Sequence, residues 1–176
     1  MQAIFKILQP ADFTSKIRDQ IIDLGMRSGT WQDVSAIDYY EEQFKNLANI
    51  NVVYQNENGL ITGYALAKSH NEAVLDYLVE DPAMKMSDIG MSYVDIVITD
   101  IKRNHASVAM HLVNEIVRES NRRGVSRFSL HCRVINGFSK IIQRKFRGGV
   151  EVVRRIDHYV DCNDEPFDYI EGTCTL

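Results

Sequence analysis

Residues 91–100, MSYVDIVITD, constrain the fold more than any other stretch of the chain. The run is β-branched and apolar on both faces, which is the pattern of a central strand covered on both sides. A second run of the same kind, SRFSLHCRV at 126–134, follows after a segment of helix length. In that segment Ala109, Leu112, Val113, Ile116, Val117 and Ser120 form one stripe at helical spacing, and Gly124 is placed to cap its end.

The flanking sequence supplies further elements. AIFKIL at the N-terminus is strand-like, and Asp12 is placed to cap a first helix in which Phe13, Ile17, Ile21 and Leu24 recur until Gly25. Ser35 can cap a second helix with Ile37, Tyr40, Phe44 and Leu47 on one face. NVVYQ and LITGYALAK flank NENG, where Asn58-Gly59 suits the positive φ angles of a hairpin turn. Residues 71–90 predict a short helix and then a loop. NGFSKIIQRKF is a further short helix ending near Gly148-Gly149, and VEVVRRIDHYV and FDYIEGTCTL are closing strands. The predicted order is β-α-α-β-β-(loop)-β-α-β-α-β-β, an α/β chain with a mixed sheet and helices on both faces.

With 176 residues and no repeats or Pro/Gly-rich linker, residues 1–176 read as a single domain. No apolar run approaches the roughly 20 residues that span a bilayer, and Pro10 and Asp12 interrupt the region where a secretory signal needs its apolar core. Cys132, Cys162 and Cys174 cannot all pair and show no CxxC spacing, so a reduced, cytoplasmic setting without a metal is expected. The net charge of -4 is unevenly spread: residues 102–155 hold 13 of the 20 Lys and Arg but 3 of the 24 Asp and Glu, an excess of +10. Such segregation can attract a polyanion, although an acidic chain overall argues against nucleic-acid binding.

Between the first buried strand and the long helix lies DIKRNHASVA. A helix starting near Ala106 leaves backbone N–H groups without intrahelical partners, and its dipole places partial positive charge there. A pyrophosphate can accept those bonds, with Lys102, Arg103 or His105 to neutralise it. A basic strand-to-helix turn that binds nothing is the alternative. If Ser107 had to adopt a left-handed conformation, it would cost about 1–2 kcal/mol.

This organisation resembles the GNAT superfamily of acetyl-CoA-dependent N-acetyltransferases. The family's loop reads Arg/Gln-x-x-Gly-x-Gly/Ala, followed by a helical leucine. Anchoring on Leu112 puts Asn104 at the Arg/Gln position, Ser107 at the first glycine and Ala109 at the second. Only Ala109 conforms. LHCRVINGFSKIIQ resembles the family's fifth strand and following helix, with Leu130, Cys132, Asn136, Ser139 and Ile142 in place and Gln143 where tyrosine is common.

The resemblance implies a mostly antiparallel mixed sheet whose central parallel strands splay apart. Pantetheine would pair with the backbone near Val97, Ile98 and Thr99. The diphosphate would meet Asn104, His105, Ala106, Ser107, Val108 and Ala109, and Asn136 and Gln143 would be further cofactor contacts. The implied reaction is transfer of an acetyl group from acetyl-CoA to a small-molecule or peptide amine.

Asp95 is the first candidate for the base. It interrupts an apolar strand on the face of Tyr93, Val97 and Thr99, where burial would raise its pKa. An Asp paired with a cation for structure is the competing interpretation. Tyr93 and His131 are further acid/base candidates. Glutamine at 143 has no proton to donate, which leaves open a domain that binds CoA or a protein partner without turnover. Trp31, Tyr39 and Tyr40 fall where this fold borders its acceptor cleft, as core or cleft wall. A homodimer is compatible with the sequence.

Overall fold

The computed structural model describes residues 3–30, 34–100, 105–146, 149–159 and 164–174. The elements follow the order β1 (Ile4–Leu8), a 3-10 turn (Pro10–Asp12), α1 (Ser15–Ser28), α2 (Val34–Lys45), β2 (Ile50–Gln55), β3 (Ile61–Ser69), α3 (His70–Asp76), β4 (Met91–Thr99), α4 (His105–Arg122), β5 (Arg127–Arg133), α5 (Phe138–Lys145), β6 (Val150–Tyr159) and β7 (Glu165–Thr173). The strands hydrogen-bond in the order β1-β2-β3-β4-β5-β7-β6. β1–β2, β2–β3, β5–β7 and β6–β7 pair antiparallel. β4 and β5 pair in parallel from Met91↔Arg127 to Val94↔Leu130, and beyond that pair their ladder ends. The mixed sheet with a parallel pair that parts is the architecture expected above.

The chain divides into two compact units, Met1–Ala67 with Ile96–Ile116 and Lys68–Asp95 with Val117–Leu176. In the first, Leu8, Ile21, Leu24, Phe44, Val53, Ile61, Tyr64, Leu66, Ile96 and Ile98 form a buried core, with Phe13, Ile17 and Tyr40 packed against it. The helical spacing of α1 is therefore confirmed, but its ends are not where the sequence suggested. Thr14 caps it by accepting a bond from the Ile17 N–H at 3.3 Å. Asp12 instead accepts from the Gln9 N–H at 2.8 Å and from Lys6 at 2.6 Å, closing the preceding 3-10 turn. The helix also runs through Gly25, which is buried, and stops at Gly29 with φ +71°. An internal glycine costs about 1 kcal/mol of helix propensity, and burial of the adjacent Leu24 offsets it.

Ser35 lies inside α2 rather than capping it, and Leu47 falls beyond its end, 72% exposed. The β2–β3 turn likewise differs from a two-residue Asn-Gly connection. Asn56 Oδ1 accepts from the N–H groups of both Asn58 and Leu60 at 3.0 Å, and Gly59 alone takes a positive φ, +75°. The asparagine that organises the turn is thus two residues earlier than the Asn-Gly pair.

In the second unit α3 and the loop to Gly90 match the short helix and loop predicted for 71–90. Ala73, Val74, Met84, Tyr93 and Tyr169 form its buried cluster. Gly124, with φ +80°, follows α4 as predicted. Gly148 lies outside the described residues.

Candidate active site

In the first unit, the start of α4 is seated on β3 by a glycine. A Cβ at Gly63 would stand 3.0 Å from Val108 Cγ1 and 3.2 Å from both Leu112 Cδ1 and Tyr54 Cβ. Because the strand has no side chain there, the first turns of the helix can approach it closely. Residues 105–109 all belong to α4, so His105, Ala106, Ser107, Val108 and Ala109 lie in its first turn and a half. Ser107 is helical, and its carbonyl accepts a bond from His111 Nδ1 at 2.7 Å. The left-handed penalty considered for a non-glycine residue at this position does not arise. Asn104, Lys102 and Arg103 lie outside the described residues. On β4, Ile98 is buried while Val97 and Thr99 are half-buried.

The second unit holds both acid/base candidates from β4. Asp95 has a fully buried side chain, and the residue's partial exposure comes from its main chain, just beyond the last β4–β5 pair. Its Oδ1 lies 2.9 Å from the ammonium of Lys68, also fully buried, and accepts the Tyr77 hydroxyl at 2.6 Å. Oδ2 has no hydrogen-bond partner among the described residues. Lys68 also reaches Asp76 at 2.7 Å and stands 4.9 Å from the centre of the Tyr77 ring. Asp95 is therefore a paired carboxylate in an aromatic wall, with one oxygen left over.

Tyr93 joins a second chain of contacts. Its hydroxyl lies 2.7 Å from His131 Nδ1, and His131 Nε2 lies 3.0 Å from Asp81 Oδ2. Arg154 on β6 binds both Asp81 oxygens, Nε meeting Oδ1 at 3.1 Å, and its guanidinium stacks 4.1 Å above the Tyr169 ring. Burial lowers the His131 pKa, with hydrogen bonding to Asp81 working against it. Burial would push Asp81 upward, but hydrogen bonds from His131 and Arg154 outweigh it and hold the carboxyl below its ordinary value.

His131 was legible as a strand histidine, but Lys68, Tyr77, Asp81 and Arg154 were not singled out from sequence. A lysine closing the apolar run LITGYALAK was the one available signal, because a buried lysine demands an acid.

The remaining residues named from sequence are more dispersed. Asn136 is exposed, and its Oδ1 accepts the Phe138 N–H at 2.9 Å, organising the start of α5. Gln143 is exposed on that helix. Tyr39 and Tyr40 pack edge-to-face at 5.0 Å, and Trp31 lies outside the described residues. The basic excess of 102–155 is partly consumed by acids from elsewhere in the chain: Arg127 pairs with Glu171, Arg154 with Asp81 and Arg155 with Asp168. A strip of charge available to a polyanion is correspondingly reduced. Among the described residues, no helix is long and apolar enough to cross a membrane.

Comparison with solved structures bears on the whole chain. A chain of the NatC complex bound to Gag peptide and CoA matches with a TM-score of 0.72 and 13% identity, over 99% of this chain and 100% of that one. The aminoglycoside 6'-N-acetyltransferase from Enterococcus faecium matches at 0.65 and 16%, over 98% of each chain. A GNAT-family protein from Desulfovibrio desulfuricans matches at 0.66 and 10%, over 98% of this chain and 99% of that one. The chain has the GNAT fold. No protein-family model matches the sequence, and no curated protein does. The GNAT fold is therefore carried by the architecture, with the motif residues largely replaced.

Proposed function

We propose that the chain acts as one GNAT domain that transfers an acetyl group from acetyl-CoA to a primary amine. The observation that carries this reading is the end-to-end match to GNAT structures, one of them bound to CoA. Helix α4 suits a diphosphate on physical grounds: the first amides of an α-helix have no intrahelical partners, and Ser107 fits the helix without strain. Val97, Ile98 and Thr99 offer backbone to the pantetheine arm, while residues 105–109 of α4 meet the diphosphate.

Proton handling falls to Tyr93, whose hydroxyl already bonds an imidazole, or to Asp95, whose buried Oδ2 has no hydrogen-bond partner among the described residues. A thiol can leave as thiolate, cysteine itself having a pKa of about 8.5, so glutamine at 143 is compatible with turnover. Acetyltransferases of similar fold act on aminoglycosides or accompany peptides, and either kind of amine is a reasonable acceptor here. Cys132 and Cys174 are buried free thiols, with burial raising Cys174 to about 11, which supports a reducing, cytoplasmic setting.

Incubation of the protein with acetyl-CoA and a panel of primary amines tests the reading. Amine-dependent release of free thiol, with a product heavier by one acetyl group, is the expected outcome. Binding of acetyl-CoA without thiol release would instead support a non-catalytic CoA-binding module, the reading favoured by Gln143.

A further inference from the structure

We propose that Asp81, clamped by Arg154, is a positioning residue that fixes the His131 tautomer, so that His131 accepts the proton of Tyr93 and completes a relay ending on Tyr93 Oη. The inference rests on the acyl-transfer reading for its chemistry, but the order of protons in it follows from geometry alone.

The assignment runs from the acid outward. Asp81 Oδ2 faces His131 Nε2 at 3.0 Å, and a carboxylate accepts hydrogen bonds without donating them. Nε2 must therefore carry the imidazole proton. In the neutral ring Nδ1 is then the bare acceptor, and the Tyr93 hydroxyl at 2.7 Å donates to it. The carboxylate–imidazole–hydroxyl order is that of a serine hydrolase triad, with a tyrosine as the terminal hydroxyl.

Four separate segments contribute: the loop after α3, then β4, β5 and β6. The arrangement is dry. Tyr93 and Asp81 are each 2% exposed, and the rings of Tyr77, Tyr159 and Tyr169 stand 5.0–6.0 Å from His131. Hydrogen bonds from His131 and Arg154 keep the buried Asp81 ionised, and the half-buried Arg154 guanidinium stacks on the Tyr169 ring. His70, the other nearby imidazole, is occupied by Ser129 Oγ at 2.8 Å and the Lys85 carbonyl at 2.9 Å.

The relay supplies what Gln143 lacks. As the amine nitrogen bonds to the acetyl carbon, a proton passes from nitrogen to Tyr93 Oη while the tyrosine's own proton moves to His131 Nδ1. The resulting imidazolium is stabilised by Asp81. The C–S bond breaks with its electron pair leaving on the CoA sulfur. The proton held on His131 returns through Tyr93 to that thiolate, leaving the amide, free CoA and the starting relay.

Nitrogen-15 NMR of the His131 ring in the free protein tests the proton order without any turnover. A protonated Nε2 and a bare, hydrogen-bonded Nδ1 are expected, and in Asp81→Asn the signal should shift toward a tautomer mixture. A wild-type ring protonated at Nδ1 overturns the relay, whether or not the protein is an enzyme and whether or not the variants fold.

Kinetics test the rest. Tyr93→Phe and His131→Gln should lower kcat about 10²–10⁴-fold at unchanged KM for acetyl-CoA, and His131→Gln should also remove the acid limb of the pH profile. Asp81→Asn should lower kcat and move that limb. Folded variants with wild-type kcat and pH profile overturn the relay. A wild-type protein that acetylates no amine refutes the acyl-transfer reading and the relay's catalytic role with it, while the NMR signal separately decides the tautomer.

Discussion

The ammonium of Lys68 lies 2.9 Å from the carboxylate of Asp95, and neither side chain is exposed to solvent. Each charge is tolerated in the interior because the other is there, with Asp76 and the Tyr77 hydroxyl completing the set. Lys68→Met leaves Asp95 without its counter-charge and should cost about 3–5 kcal/mol of stability. The double variant Lys68→Met/Asp95→Leu should recover most of that loss. Urea unfolding of the three proteins measures both effects, and a single variant as stable as wild type would show that the pair contributes nothing.

The two β4 candidates can be ranked directly. If Tyr93 moves the proton, Tyr93→Phe loses about 10²-fold or more in kcat, and Asp95→Asn loses less at equal acetyl-CoA affinity. Steady-state assays on the same amine compare them. The opposite order would return the role of base to Asp95.

Gly63 is predicted to be sensitive to a single methyl group. Its Cβ would meet Val108 and Leu112 on α4 at 3.0 and 3.2 Å, and overpacking of this kind costs about 1–3 kcal/mol. Gly63→Ala should lower the melting temperature and weaken acetyl-CoA binding together, because the residues it displaces adjoin the helix start. A variant that melts lower yet binds acetyl-CoA with wild-type affinity would separate the packing from the ligand site.

Much of this organisation was legible in the sequence, for a physical reason: strands and helices that bury a face must repeat their apolar residues at the matching period. That is why MSYVDIVITD and the Leu112–Ile116 stripe identified β4 and α4. Helix ends depend on single side-chain bonds, and Thr14 and Asp12 are both chemically competent caps, so spacing alone could not choose between them. The acid/base cluster was hidden for another reason. Asp81, His131 and Arg154 are up to 73 residues apart in the chain, and only the sheet and the loop after α3 bring them together. Tyr93 and Asp95 were visible because they share one strand with its period of two.

Acid should destabilise the fold in two steps. Burial lowers the His131 pKa from 6.5, so below that pH the unfolded chain takes up protons more readily than the folded one, and stability falls. Glu119, held at about 2 chiefly by its hydrogen bond to Arg122, contributes stability that is complete above 4.5 and lost as the pH falls toward 2. Melting curves across this range should show both losses, with Glu119→Gln flattening the lower one. An unchanged acid profile in that variant would contradict the assignment.

Calorimetric titration of the protein with acetyl-CoA tests the central claim most directly. One molecule should bind per chain, be displaced by CoA, and at a hundredfold excess over Kd stabilise the fold by about 2.7 kcal/mol, a rise in Tm of about 5–10 °C. No heat and no thermal shift with acetyl-CoA or with longer acyl-CoAs would contradict the account.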